Sequence, residues 1–115
     1  MKANELRIGN YVHNPIQKID FKVDITTLSE VFYDEKREVK LNNKFQPIPL
    51  TEEWLFKFGL EKKNGYGFEM FGNWIQKEDN IYWYNLNGNF VILKHVHQLQ
   101  NLYFALTQKE MKCLN

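Results

Sequence analysis

The residues in this chain best suited to chemistry are two histidines, His95 and His97, with one residue between them. On a strand, side chains two apart share a face and both imidazoles could reach one metal. On a helix they diverge by roughly 200°, because each residue turns about 100°. The pair falls where a strand pattern gives way to a helical one. A zinc site needs further ligands. His13 or a distant acid is the available candidate, and no local spacing supplies one. The expectation is therefore structural or surface histidines and no bound metal. Carboxylates are adjacent at Glu52-Glu53, Asp34-Glu35 and Glu78-Asp79. A general acid and base need a pocket and shifted pKa values; the first pair is explained by a helix start and the others by turns. Ser29 is the only serine and lacks a nucleophile-elbow context. Asn64-Gly65-Tyr66-Gly67 has neither the spacing of a phosphate loop nor the Lys-Ser/Thr that follows one. Cys113 is alone, which excludes a disulfide framework and a cysteine-based zinc cluster. No catalytic residue and no cofactor are expected.

What remains suits binding. Lys36-Arg37 is a basic pair in a hairpin turn, Lys62-Lys63 a second that follows the short helix, and Trp74 and Trp83 lie in strand-like segments. Solvated charge and core packing are the simpler roles. As contacts to a partner, the lysines would meet acidic groups and the indoles would serve as anchors or stacking platforms. Bulk electrostatics argues against nucleic acid as the partner. The chain has 15 basic and 14 acidic residues, and its only arginines are Arg7 and Arg37. Nucleic-acid binders draw affinity from an excess of basic charge on phosphates. A nucleic-acid module stays possible through the aromatic strands but is not favoured.

The elements that must position these groups follow from periodicity. A chain of 115 residues has room for a single domain, residues 1–115. Aromatic residues make up 16%, and each buried ring removes ~150–250 Å² from water. Leu6–His13 reads as a strand with a bend at Gly9-Asn10, and Asn14-Pro15 as a turn. Ile19, Phe21, Val23 and Ile25 alternate with polar residues, which predicts a strand within Ile16–Ile25. Val31–Tyr33 and Val39–Leu41 read as short strands around a charged turn; a helix from Thr27 to Arg37 is the competing reading and the less favoured. Gln46-Pro47-Ile48-Pro49-Leu50 must be extended. Thr51 then caps a short helix with Glu52 and Glu53 in its first turn, Leu50 and Leu55 as a hydrophobic staple, Trp54, Leu55 and Phe58 buried, and Gly59 as its stop. A meander follows: Tyr66–Phe71, Trp74–Gln76, Ile81–Leu86 and Phe90–Leu93, separated at Gly72-Asn73, Asp79-Asn80 and Asn87-Gly88. From Val96 to about Glu110, Val96, Leu99, Leu102, Tyr103 and Leu106 recur at helical steps, with Gln98, Gln100, Asn101 and Gln108 as the wet face. The fold class expected is α+β: a strand-rich domain (antiparallel sheet or partial barrel) with one short central helix and a C-terminal helix packed on the sheet. No run approaches ~18 apolar residues, and the first residues lack an apolar signal region. The expected compartment is the cytoplasm.

Three stretches carry a resemblance. They are Met1–Val12 (MKANELRIGNYV), Pro47–Gly59 (PIPLTEEWLFKFG) and Val96–Thr107 (VHQLQNLYFALT). In order and from end to end, they resemble a widespread family of small proteins found in phages, prophages and their bacterial hosts. The family brings no established activity with it. Small proteins of mobile elements often antagonise host defence, and some of this general type are anti-CRISPR inhibitors, including of RNA-targeting type VI nucleases. The resemblance thus implies a non-enzymatic inhibitor in the host cytoplasm. Its implied partner is a larger host protein, a CRISPR effector nuclease or its RNA complex. A housekeeping role in the mobile element is the alternative.

Overall fold

A computed structural model describes residues 2–36, 45–63 and 67–113. The chain divides into two compact units, one formed by Met1–Ile48 with His95–Glu110 and the other by Pro49–Lys94 with Met111–Asn115. The fold is α+β, with antiparallel sheets, a short helix and a C-terminal helix. No helix among the described residues is long and apolar enough to cross a membrane.

In the first unit, strands β1 (Tyr11–Asn14) and β2 (Ile19–Lys22) pair antiparallel with Val12 opposite Phe21. The expected strand from Leu6 is shorter than its composition suggests. Residues Ala3–Glu5 form a 3-10 turn, and Ile8 is exposed in the turn that follows. The Asn10 side chain causes this: its Oδ1 accepts the Arg7 N–H at 2.6 Å, and Gly9 takes a φ of +98° to close the bend. The alternation through Ile25 ends early for a similar reason. Asp24 caps a helix, accepting the Thr27 N–H on its carboxylate at 2.8 Å and the Leu28 N–H on its carbonyl at 3.0 Å. Bonds from Thr27, backbone first and hydroxyl second, hold the Asp24 carboxyl below the usual carboxylate range.

That helix, α1 (Ile25–Lys36), corrects the reading of Val31–Tyr33 as a strand. Val31 and Phe32 favour strands locally, but burial selects the helical period. Thr27 and Val31, four apart, are buried, and Val31 joins Leu6, Val12 and Val23 in the core, with Leu28 packed against them. The proposed strand at 39–41 lies outside the described residues. Helix α3 (Val96–Thr107) belongs to the same unit and packs against β1.

In the second unit, helix α2 (Glu52–Lys57) follows expectation closely. The Thr51 hydroxyl accepts the Trp54 N–H at 3.4 Å, and Trp54, Leu55 and Phe58 are buried. Its end is a Schellman motif: Leu60 N–H donates to Leu55 C=O and Gly59 N–H to Phe56 C=O, with Gly59 at a φ of +84°. The sheet is a meander of β3 (Lys62–Lys63), β4 (Gly67–Met70), β5 (Asn73–Glu78), β6 (Ile81–Leu86) and β7 (Asn89–Leu93), in that spatial order. Its last three turns place Phe71-Gly72, Asp79-Asn80 and Asn87-Gly88 at positive φ on both residues. That is the two-residue turn whose twist matches paired strands. The first of these turns falls one residue earlier than Gly72-Asn73.

Candidate recognition face

The meander's pleat sorts its side chains onto two faces. Phe68, Met70, Ile75, Tyr82, Tyr84 and Leu93 are buried on one, where Phe68 meets Phe56 of α2 at 5.1 Å between ring centroids. The Tyr84 hydroxyl, wholly buried, donates to the Met70 carbonyl at 3.0 Å and accepts from the Asn73 amide at 3.3 Å. The opposite face carries Trp74, Ile81, Trp83, Phe90 and Ile92. Register places Gln76 opposite Trp83 and Ile92 beyond it, so Trp74 and Trp83 are diagonal neighbours on one surface. Both indoles are half-buried, while Phe90 is 61% and Ile92 43% exposed. Trp83 and Phe90 pack edge to face at 6.3 Å. The acidic residues sharing this face within the strands are Glu69, opposite Trp74, and Glu78, opposite Ile81.

Of the other expected contacts, register brings Lys63 onto this face, opposite Gly67 and near Glu69, and the rest lie elsewhere. Lys62 and Lys63 form the edge strand β3, and the Lys62 ammonium pairs with Glu52 of α2 at 3.3 Å. They are strand residues paired with Gly67 and Phe68, which their reading as solvated charge after the helix did not foresee. Lys36 ends α1 in the first unit, and Arg37 lies outside the described residues. So do Asn64, Gly65 and Tyr66. Of the carboxylate pairs, Glu52 meets Lys62, Glu53 meets Lys57 at 3.6 Å, and Glu78-Asp79 leads into a turn. Ser29 lines an open groove of about 440 Å³ with Ala3, Asn4, Ile25, Leu28, Phe32 and Tyr33. None of these lining residues is a histidine or a carboxylate.

His95 and His97 stack with parallel rings, 5.7 Å between centroids, at the start of α3. His97 is buried, and its Nδ1 has no hydrogen-bond partner among the described residues. No group of three or more His, Cys, Asp or Glu side chains able to hold a metal occurs among the described residues. Burial, and then the neighbouring His95, push the His97 pKa below its ordinary value of 6.5, while Glu5 opposes them. The folded protein therefore binds a proton at His97 less readily than the unfolded chain does. Stability contributed by neutral His97 is complete above pH 6.5 and is lost as the pH falls below it. Urea denaturation at pH 7.5 and pH 5 is expected to show this loss, at a slope no steeper than one proton. The variant His97→Gln is expected to flatten the slope; an unchanged slope would assign it elsewhere.

The wet face expected for α3 needs correction. Gln100 is fully buried and Asn101 half-buried. Gln100 accepts the Tyr11 N–H at 2.8 Å and donates to the Gly9 carbonyl at 3.1 Å. Asn101 Oδ1 accepts from the Asn10 amide at 2.9 Å, and its own amide donates to the Glu5 carbonyl at 2.9 Å. Arg7 pairs with Glu110 and lies over the Phe104 ring at 3.6 Å. These polar residues satisfy backbone groups that the bend at 5–11 leaves without strand partners. The stretches MKANELRIGNYV and VHQLQNLYFALT thus meet in one hydrogen-bonded network. Their distinctive residues hold the fold together. No protein-family model, curated protein or solved structure matches the chain.

Proposed function

We propose that this chain is a non-enzymatic binding protein that occludes a larger protein through the outer face of its meander. The observation that carries the proposal is the exposure of Phe90 and Ile92 beside the half-buried Trp74 and Trp83 on one surface. Large rings with few rotatable bonds, rimmed by polar groups, are the usual anchors of a protein interface. Charge selects among targets. Its strands carry two acids, Glu69 and Glu78, against one base, Lys63, so this face suits a surface with an excess of Lys and Arg. The resemblance of the three stretches to phage and prophage proteins adds a direction: a host defence nuclease, of the RNA-guided type VI kind, whose RNA-binding surface is necessarily basic. The partner is then the effector or its RNA complex, and the site of action is the host cytoplasm.

The test is binding and RNA cleavage with a purified type VI nuclease–guide complex. Added protein is expected to form a complex and suppress cleavage. The variant Trp83→Ala is expected to weaken binding by about 2 kcal/mol, near thirtyfold, with an unchanged circular dichroism spectrum. No complex and no loss of interference in cells would sink the nuclease assignment. Retention of RNA at low salt, lost steeply as salt rises, would instead favour a nucleic-acid module stacking bases on Trp74 and Trp83.

A further inference from the structure

The two edges of the five-stranded sheet are unlike. At one edge β3 is two residues long and consists of Lys62 and Lys63, a short charged strand of the kind that discourages further pairing. At the other edge β7 reads Asn89-Phe90-Val91-Ile92-Leu93. It has no charge, no proline and no glycine, and so lacks these safeguards.

Which backbone groups β7 offers follows from its register. Leu86 and Asn89 flank the two-residue turn, so they form a hydrogen-bonded pair; Val91 with Tyr84 and Leu93 with Tyr82 continue that alternation. Phe90 and Ile92 therefore point their N–H and C=O groups away from β6. Among the described residues, no further backbone hydrogen bond reaches Asn89–Leu93. The neighbouring contact, from Leu50 N–H to Lys94 C=O, lies just past the end of the strand.

We infer that β7 pairs antiparallel with β7 of a second copy of this chain, joining two five-stranded sheets into one. A two-fold axis at Val91 sets Phe90 opposite the partner subunit's Ile92 and Ile92 opposite the partner subunit's Phe90. Each of these residues is a donor and an acceptor on the open side, so all outward groups of Phe90 and Ile92 are satisfied in both copies. The side chains match as well. Both lie on the outer face, so an aromatic ring meets a β-branched chain across each pair, the favoured cross-strand combination. Electrostatics permits the register: Asn89 falls opposite the partner subunit's Leu93 and no like charges meet, and the pairing stops before Lys94, whose carbonyl Leu50 already holds. A second copy fits this edge better than a charged strand, which would leave its charge against Phe90 or Ile92. The pairing goes beyond the proposed function: it shares Phe90 and Ile92 with that face but rests on the backbone edge and leaves Trp74 and Trp83 outside the pairing.

Sedimentation of the full chain from micromolar to millimolar concentration tests the inference, with amide hydrogen exchange at both ends of the range. The expected result is a monomer–dimer equilibrium in which the Phe90 and Ile92 amides become protected as the dimer forms. Ile92→Pro removes an N–H that no intrachain bond uses, and is expected to weaken the dimer at least tenfold. Ile92→Lys is expected to do the same and covers the case of a proline variant that folds poorly. Trp83→Ala is expected to leave dimerisation within a fewfold of the parent, which keeps this outcome separate from that of the nuclease assay. A chain that stays monomeric at millimolar concentration overturns the inference. So does a dimer whose Phe90 and Ile92 amides exchange freely, or one that survives Ile92→Lys.

Discussion

Replacing Gln100 with leucine is expected to destabilise the protein by about 2–5 kcal/mol, although the leucine conserves most of the volume and adds apolar character. Gln100 is fully buried and holds two backbone groups, the Tyr11 N–H and the Gly9 C=O. Leucine leaves both without their partner, and each unsatisfied buried group costs about 1–3 kcal/mol. Gly9 and Tyr11 cannot exchange these bonds for strand pairing, because Asn10 and Gly9 sit in the bend that precedes β1. Urea denaturation checks the magnitude. Hydrogen exchange checks the cause: the Tyr11 amide is expected to lose protection more than the amides of β6. The control is Leu106→Gln, the opposite exchange at a residue 40% exposed on the same helix, expected to change stability by less than about 0.5 kcal/mol. Equal effects of the two substitutions would count against the network.

Gly67→Ala carries the second large effect, expected at about 2–4 kcal/mol. Gly67 begins β4 at a φ of +127°, which L side chains rarely adopt, and a Cβ there would lie 2.3 Å from the Ile75 carbonyl oxygen. The obstacle is backbone of the adjacent strand β5, so rotation of a side chain cannot relieve it. Either the β4–β5 pairing opens or the chain refolds locally, and β5 carries Trp74. The comparison is Gly88→Ala. Its φ is +90°, but nothing lies within 4 Å of the added carbon, so only the conformational cost of about 1 kcal/mol applies. Denaturation midpoints separate the two, and the Trp74 environment, followed by near-ultraviolet circular dichroism, is expected to change in Gly67→Ala alone. Similar losses in both variants would show that close approach to Ile75 does not matter.

Local chemistry explains what could be read directly from residues. The Thr51 cap, the Gly59 stop and the turns at Asp79-Asn80 and Asn87-Gly88 each rest on interactions within a few positions of sequence. Such interactions operate before any distant segment is in place. That is why α2, the strands of the meander and the α+β class follow from sequence pattern alone.

The misread elements are those where distant partners decide. Val31-Phe32-Tyr33 looks like a strand until Leu6, Val12 and Val23 make a helical face profitable to bury. Gln100 and Asn101 look wet because glutamine and asparagine usually are; the unpaired backbone at 5–11, some ninety positions away, makes them core. Lys62-Lys63 reads as solvated charge until β4 supplies a strand to pair with. The same division holds for the candidate site. Sequence identified Trp74 and Trp83 as groups worth watching and showed the absence of a basic excess. Only strand register could place the two indoles on one face with Phe90 and Ile92, and set Lys62 against Glu52 elsewhere. Register is a relation between segments, so it is fixed when the strands pair and is not written in either segment by itself.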